Sequence, residues 1–427
     1  MRKNCSRFLR CLTFAALICA TAIPSYASKP EHSRIAASTA SDVSTALKHI
    51  EQKSLQNLVN ETAKEFLIPG AVVLLITPQG RFAANYGTTE IGTTTEPNAK
   101  THFRVASNTK TMTAALIGLL VEEKKLKLTD PISKFVANVP NGDKITIELL
   151  LKMRSGLYGY TDASEIAESI DKNPTKVWTP EEVLAIAFKQ KAKAPNSEYQ
   201  YNNTNYALLG KVVEKIEGKP LQQVMQDRLF TPLHLTETQL PAANSNSIPE
   251  PYSHGYLYGS SSKALSGEPP YSPEFIASVK SGKVTPTDFT NVNHSFASAA
   301  GGVTSNAEDL ATWITKLCTG GVFDTAYQKV WLDSLQLEDP KNKAGMEYGY
   351  GIARLHWGPN NAFLFHGGET AGYNSFMGYD PTHKVTLVVW TNLTVSLDER
   401  PTANTMMLRV LDLIYKVSPI PNEQKTH

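Results

Sequence analysis

A serine and a lysine two residues apart from touching in sequence, Ser107 and Lys110, sit in the stretch FRVASNTKTMTAALIGLLV that spans residues 103–121. Serine alone is a weak nucleophile at neutral pH, because its hydroxyl must give up a proton as it attacks; a desolvated amine beside it can take that proton. Spacing of three on a helix puts both side chains on one face. The run that follows is apolar on nearly every face and belongs in a protein interior, so the pair is expected where a buried helix emerges into a cleft. The first N–H groups of a helix, that of Ser107 among them, have no partner within the helix and can stabilise an oxyanion. Two fixed residues in four also recur by chance. Here they recur at Ser260 and Lys263, in a polar Ser/Gly/Pro stretch that reads as loop. Ser107 by itself reads equally well as the cap of a core helix with a solvated lysine one turn on.

The elements that must hold such a pair are legible along the chain. Leu47, Ile50, Leu55, Leu58, Val59 and Phe66 recur at helical spacing and predict a helix over 44–66, closed by Pro69-Gly70. AVVLLIT at 71–77 and the run 81–86, separated by Pro78-Gln79-Gly80, predict a hairpin. After the Ser107 helix, helices are expected over 145–153, 180–188, 206–217 and 221–229, with few strands before Gln239. Residues 241–290, rich in Pro, Ser and Gly, read as a long surface excursion, which is uncommon unless functional. Asn306 or Ser305 caps a helix over 307–317. Strand-like runs return at 350–356, 362–365, 373–379 and 384–392, broken by turns at Gly358-Pro359-Asn360 and Asp380-Pro381, and an amphipathic helix over 404–415 ends the fold. Strands at both ends and helices between them predict an α+β fold, with one antiparallel sheet built from both chain ends, flanked by helices, and a mostly helical region inserted into it. The division expected is 28–115 with 291–427 for the sheet, and 116–290 for the helical part including the 241–290 loop.

The chain has 427 residues, 41% hydrophobic and 19% charged, an ordinary globular composition. Its first 27 residues differ: Arg2, Lys3, Arg7 and Arg10, an apolar run over 12–23, then Ser25-Tyr26-Ala27. This pattern reads as a signal peptide cut after Ala27, so an exported, periplasmic or secreted protein is expected, with no membrane anchor in the mature chain. Its loss takes four cations and shifts the formal charge from +2 to −2. No basic excess remains to attract nucleic acid. Cys5, Cys11 and Cys19 leave with the leader, and Cys318 is left with no disulfide partner, reading as a buried small hydrophobe.

Two further segments bear on the serine. Tyr201-Asn202-Asn203 is the one Tyr-x-Asn in the chain, and His366-Gly367-Gly368-Glu369 lies between two strand runs. Taken singly each has an ordinary reading: Tyr201 is one of 17 tyrosines, Asn203 could cap a helix, and His356-Trp357-Gly358 shows that His-x-Gly arises by accident. Together, FRVASNTKTMTA, YNNTNYALLG, AAGGVTSNAEDL at 299–310 and HGGETAG at 366–372 resemble the signatures of the class C β-lactamase and D-alanyl-D-alanine carboxypeptidase family, the penicillin-recognising serine hydrolases. The resemblance runs from about Ile68 to Leu393 in the family's order. YTDASE near Tyr160 and SHGYLYG near Tyr256 look closer to the secreted carboxypeptidases.

The resemblance implies roles and a β-lactamase/transpeptidase-like fold, with no cofactor and no metal. Ser107 becomes acylated; Lys110 and Tyr201 share removal of its proton, and Tyr201, its phenolate favoured by neighbouring cation charge, passes the proton to the leaving group. Asn203 holds a substrate amide. His366 replaces the lysine of the third motif and tunes Tyr201 or a substrate anion. Gly367 and Gly368 let a substrate backbone lie against the strand, and the N–H of Glu369 is the second oxyanion donor. The family's carboxypeptidases usually carry hydroxyl residues at positions 367 and 369, where they help hold the substrate's carboxylate. Glu369 facing that carboxylate at about 4 Å, with an effective dielectric near 20, would repel it by roughly 4 kcal/mol, about a thousandfold in affinity. So either Glu369 is turned away or paired with a cation, or the substrate has no free carboxylate there. Carboxypeptidase action on cell-wall peptides is the leading expectation, esterase or β-lactamase action the alternative within the family, and a non-turnover peptidoglycan or β-lactam sensor the alternative from another class. The substrate is a small peptide, ester or β-lactam. No Gly-x-Ser-x-Gly elbow, His-Glu-x-x-His, phosphate loop or dinucleotide motif occurs.

Overall fold

The structure, a computed structural model, describes residues 47–265, 270–357 and 361–417. The expected leader at 1–27 lies outside the described residues, as does the turn Gly358-Pro359-Asn360. In chain order the elements that frame the site are α1 (Gln52–Glu65), β1 (Gly70–Thr77), β2 (Gly80–Gly87), β3 (Phe103–Arg104) and α2 (Thr109–Glu122). Helices follow as α3 (Ile147–Leu151), α4 (Ser164–Lys172), α5 (Pro180–Phe188), α6 (Asn203–Glu217) and α7 (Leu221–Met225). Then come β4 (Tyr256–Leu257), α8 (Ser262–Leu265), α9 (Pro273–Lys280), β5 (Thr287–Asp288), α10 (Ser298–Gly301), β6 (Thr304–Ser305), α11 (Ala307–Cys318) and α12 (Thr325–Asp333). The chain closes with β7 (Gln336–Leu337), β8 (Glu347–Tyr348), β9 (Ala353–Trp357), β10 (Asn361–Thr370), β11 (Tyr373–Asp380), β12 (Val385–Thr391) and α13 (Thr402–Ile414).

One eight-stranded antiparallel sheet runs in the order β2-β1-β12-β11-β10-β9-β8-β7. It is an α+β fold whose sheet is assembled from both ends of the chain, since β1 lies against β12 with Val73 opposite Val389. The reason is in β12 itself: VTLVVWT is buried at every position, and a strand apolar on both faces needs both faces covered. Thr386 bonds Thr315 of α11 at 2.8 Å while Thr391 bonds Thr402 of α13 at 2.7 Å. Positions five apart on a strand face opposite ways, so the two helices cover opposite faces. Each fully buried Val or Leu there contributes about 1.5–3 kcal/mol. Helix α2 is interior along most of its length, as its apolar circumference requires. A Cβ on Gly118 would stand 2.6 Å from the Phe323 and Tyr327 rings, so its glycine admits α12 and the loop before it.

Three expectations need correction. The first helix begins at Gln52, not Ser44: Leu47 bridges Tyr415, and the Lys48 N–H donates to the Ile414 carbonyl at 2.8 Å, so tertiary pairing overrides the helical spacing of Leu47 and Ile50. The 241–290 excursion is not a bare surface loop. It contains β4, β5, α8 and α9, and Ser253, Leu257 and Ser261 are fully buried; its hydroxyls find partners inward, as when Ser261 donates to the Ala167 carbonyl at 2.9 Å. Ser260 to Lys263, read as solvated loop, leads into α8, where Lys263 is buried, pairs with Glu399 at 3.0 Å and lies over the Tyr271 ring.

Candidate active site

Strand β3 delivers the chain to Ser107. Arg104 pairs with Thr304 of β6, and Phe103 stacks on Trp390 of β12 with ring centroids 4.9 Å apart. The next residues form a tight 3-10 turn over 106–108 and α2 starts at Thr109, so the regular helix begins two residues after Ser107 rather than at it. Ala106 sits at φ +49°, a left-handed conformation that disfavours any residue with a Cβ and that concentrates at functional sites. The turn is tied down by side chains. Asn108 Nδ2 donates to the Val105 carbonyl at 3.0 Å and to Ser375 Oγ at 2.8 Å; Thr109 Oγ1 donates to the Ala106 carbonyl at 2.8 Å.

Lys110 is fully buried, and burial drives its pKa well below the ordinary lysine range. Its Nζ lies 2.9 Å from Ser107 Oγ, 2.7 Å from Asn203 Oδ1 and 2.7 Å from the Ala300 carbonyl. Asn203 Nδ2 donates to Thr161 Oγ1 at 2.9 Å, which fixes its other atom as an acceptor. A neutral amine has two hydrogens. With both given to Asn203 Oδ1 and the Ala300 carbonyl, the lone pair of such an amine would face Ser107 Oγ, the third atom within reach of Nζ.

Tyr201, in the loop before α6, is hydrogen-bonded to Ser107, and the Lys110 Nζ stands 4.8 Å from its ring centroid. The expected phenolate is not favoured here. Burial raises the Tyr201 pKa, the Glu369 charge raises it further, and the Ser107 bond offsets only part; burial also lowers the pKa of the amine that was to supply cation charge. Tyr201 is therefore a protonated acid.

His366 is buried, with its ring 6.2 Å from that of Tyr201. Burial, then the Lys110 charge, bring its pKa down to about 3. Its Nδ1 lies 2.6 Å from the Gly367 carbonyl, which can only accept, so Nε2 accepts from the Tyr348 hydroxyl at 3.1 Å. A neutral imidazole so bonded brings no charge to a substrate anion, contrary to one of its two expected uses.

The strand that carries His366 is one continuous element, β10, rather than the end of one strand and the start of another. Its pairing with β9 stops at Phe365 opposite Ala353, while its pairing with β11 continues to Thr370. Residues 366–370 thus present an edge with no neighbouring strand among the described residues, alongside the Ser107 turn. The Gly368 carbonyl accepts from Asn374 Nδ2 on the β11 side at 3.1 Å. In a trans peptide the N–H points opposite to the C=O, so the Glu369 N–H points to the open edge.

Gly368 answers to a different need from the one expected. A Cβ there would stand 2.1 Å from the Val105 carbonyl oxygen and 2.5 Å from Ser375 Oγ; the missing side chain lets the strand approach the Ser107 turn. Gly368→Ala is expected to destabilise the protein by about 1–3 kcal/mol, the usual range for overpacking, measurable as a lowered denaturant midpoint with unchanged slope. Gly367 lies one residue earlier on the same edge. Glu369 is half-buried, its carboxylate oxygens shielded from solvent, and its charge acts on Tyr201.

The sequence reading missed three contributors. The Ala300 carbonyl and Thr161 were marked only by the motifs AAGGVTSN and YTDASE around them, and Tyr348, bonded to His366 and edge-on to Tyr201 at 6.1 Å, by nothing. Cys318 is half-buried at the end of α11, and burial raises its thiol pKa, which suits packing rather than nucleophilic attack. Among the described residues no group of His, Cys, Asp and Glu is placed to hold a metal, and no helix is long and apolar enough to cross a membrane.

Comparison with known proteins places this geometry among relatives. The Beta-lactamase family profile matches residues 55–412. The Staphylococcus aureus protein called Protein flp is 25% identical over 360 residues, which is 82% of this chain and 64% of that protein. Unguisins hydrolase ungD' of Aspergillus campestris is 25% identical over 270 residues, 61% of this chain and 46% of its own length. The chain thus spans less than two thirds of the curated relatives it matches. Among solved structures, a D-stereospecific amidohydrolase from Streptomyces sp. superposes with a TM-score of 0.71 at 24% identity, covering 84% of this chain and 98% of the other. A D-amino acid amidase from Ochrobactrum anthropi does so with a TM-score of 0.69 at 22% identity, covering 87% and 98%.

Proposed function

Since this chain belongs to the Beta-lactamase family, we propose that it is a serine hydrolase that works through an acyl-enzyme on Ser107, acting on a small amide, peptide or ester. The observation that carries this reading is the buried Lys110 Nζ, 2.9 Å from Ser107 Oγ and held by Asn203 Oδ1 and the Ala300 carbonyl, each at 2.7 Å. Ser107 Oγ attacks the scissile carbonyl carbon as its proton moves to Lys110 Nζ. The oxyanion is held by the N–H groups of Ser107 and Glu369, each such donor being worth about 3–4 kcal/mol of barrier. The C–N or C–O bond then breaks, the leaving group departs with a proton given by the Tyr201 hydroxyl, and the Lys110 ammonium restores that proton. Water attacks the ester by the reverse route and frees the acid.

Glu369 divides the substrate readings. A D-alanyl-D-alanine carboxypeptidase must seat a free carboxylate on the open edge of β10. Glu369 is near enough to oppose ionisation of Tyr201 and opposes a second anion in the same place, which favours substrates whose leaving group is uncharged: amides, esters and amidated peptides. The test compares a peptide ending in D-alanyl-D-alanine with its C-terminal amide. Wild type is expected to prefer the amide at least tenfold in kcat/KM, about 1.4 kcal/mol, and Glu369→Gln to narrow that ratio. A preference for the free acid that Glu369→Gln leaves unchanged returns the assignment to carboxypeptidase. Labelled penicillin separates the remaining readings: rapid turnover marks a β-lactamase, and a lasting adduct without hydrolysis of any peptide or ester marks a sensor. Export to a periplasmic or secreted location, and peptidoglycan as the target, rest on the leader-like first 27 residues and on family resemblance.

A further inference from the structure

Three residues before Ser107, Arg104 is buried to 1% exposure. A guanidinium has five N–H donors and no way to shed its charge at ordinary pH. Here only Nη2 finds acceptors, the Asn246 carbonyl at 2.7 Å and the Thr290 carbonyl at 3.1 Å, while Nε and Nη1 have none among the described residues. The acidic group beside it is the phenol of Tyr373 rather than a carboxylate, and burial brings the Arg104 pKa down to about 10. A buried cation without a counter-charge is among the costliest arrangements a fold can carry.

The same side chain forms part of the wall of a cavity of about 110 Å³, together with His294, Trp178, Ser245 and Leu240. That is several times the ≈ 30 Å³ share of a single water. His294 does not compete for an anion as an acid or cancel the charge as a base. Its Nδ1 donates to the Val292 carbonyl at 3.0 Å, its Nε2 accepts from Thr370 Oγ1 at 2.9 Å, and burial and the Arg104 charge hold it neutral. The one carboxylate in the wall, Glu214, is already engaged by Lys211 at 3.3 Å and by the Leu221 N–H at 3.2 Å.

We propose that this cavity is a binding site for a small monovalent anion, halide or short carboxylate, that neutralises Arg104 and braces the strand leading to Ser107. The site is separate from the hydrolytic one and stands whether or not the acyl-enzyme reading does. Its test is bromide. In crystals of the wild-type protein soaked in sodium bromide, an anomalous peak is expected within hydrogen-bonding distance of the Arg104 guanidinium. In solution the thermal midpoint is expected to rise by a few degrees when gluconate, too large for the cavity, is replaced by bromide or formate at constant ionic strength. Arg104→Gln should abolish that anion dependence. Should that variant fail to fold, the wild-type crystal and melting data decide alone. Ordered water in place of bromide at the guanidinium, or peaks confined to the exposed surface with a midpoint indifferent to the anion, overturns the proposal. A formate effect without a bromide peak does so for halides and restricts the site to carboxylates.

Discussion

Ser107→Ala is expected to lower kcat/KM by roughly 10⁶-fold, the scale seen when a serine nucleophile is removed, and to abolish the covalent adduct with labelled penicillin or an active ester, read by intact-protein mass. The substitution is a clean one. The turn is held by Asn108, Thr109 and Ser375 through the Val105 and Ala106 carbonyls, none of which involves the Ser107 hydroxyl, so the fold should persist and the thermal midpoint should stay close to that of wild type. What remains is the slow background from the oxyanion donors, Ser107 N–H and Glu369 N–H, which alanine leaves in place. Hydrolysis that survives the substitution at the wild-type rate would sink the acyl-enzyme reading and leave the cleft without a nucleophile.

Lys110→Met should cost about 10²–10⁴-fold in the acylation rate, the contribution of a positioned general base, while leaving Ser107 in place. Methionine matches the length of the lysine stem but strands Asn203 Oδ1 and the Ala300 carbonyl, each about 1–3 kcal/mol when left unsatisfied. The relief of a buried amine works the other way, and pH separates the two. The folded-state pKa of Lys110 lies below the ordinary 10.5, so between those values the unfolded chain binds more protons than the folded one, and stability gained above 10.5 is lost as the pH falls toward the folded value. Wild type should therefore lose stability relative to Lys110→Met across that window, and the difference should level off once Lys110 is protonated in the fold. Wild-type acylation should stay high well below 10.5 and fall when Lys110 takes up its proton. A stability difference independent of pH, together with undiminished acylation in the variant, means that the amine is charged and idle.

These expectations draw on two kinds of information. The residues at 71–77 and 385–391 are apolar on both faces of a strand and could satisfy themselves only in the middle of a covered sheet, so the α+β arrangement was open to a reader of the chain. The buried circumference of α2 was equally plain. Where local pattern and tertiary pairing disagreed, pairing won: Leu47 and Ile50 keep helical spacing, yet Leu47 is drawn into a bridge with Tyr415. In the 241–290 segment, Gly, Pro and Ser gave every sign of a loop, and inward-facing hydroxyls and the buried Leu257 made it part of the core instead.

The inventory of the site, a hydroxyl, an amine, a phenol, an amide and a glycine-rich strand, was written in Ser107, Lys110, Tyr201, Asn203 and the run from His366 to Glu369. Their protonation was not. Lys110 finds its two acceptors 93 and 190 residues away along the chain, His366 owes its neutrality to the interior around it and to the amine beside it, and Gly368 answers to a carbonyl of Val105 that nothing in its own neighbourhood announces. Periodicity and residue type act over a few positions and set which elements form; the charge a group carries depends on the dielectric and the donors that surround it in space, and these exist only once distant parts of the chain have closed around it.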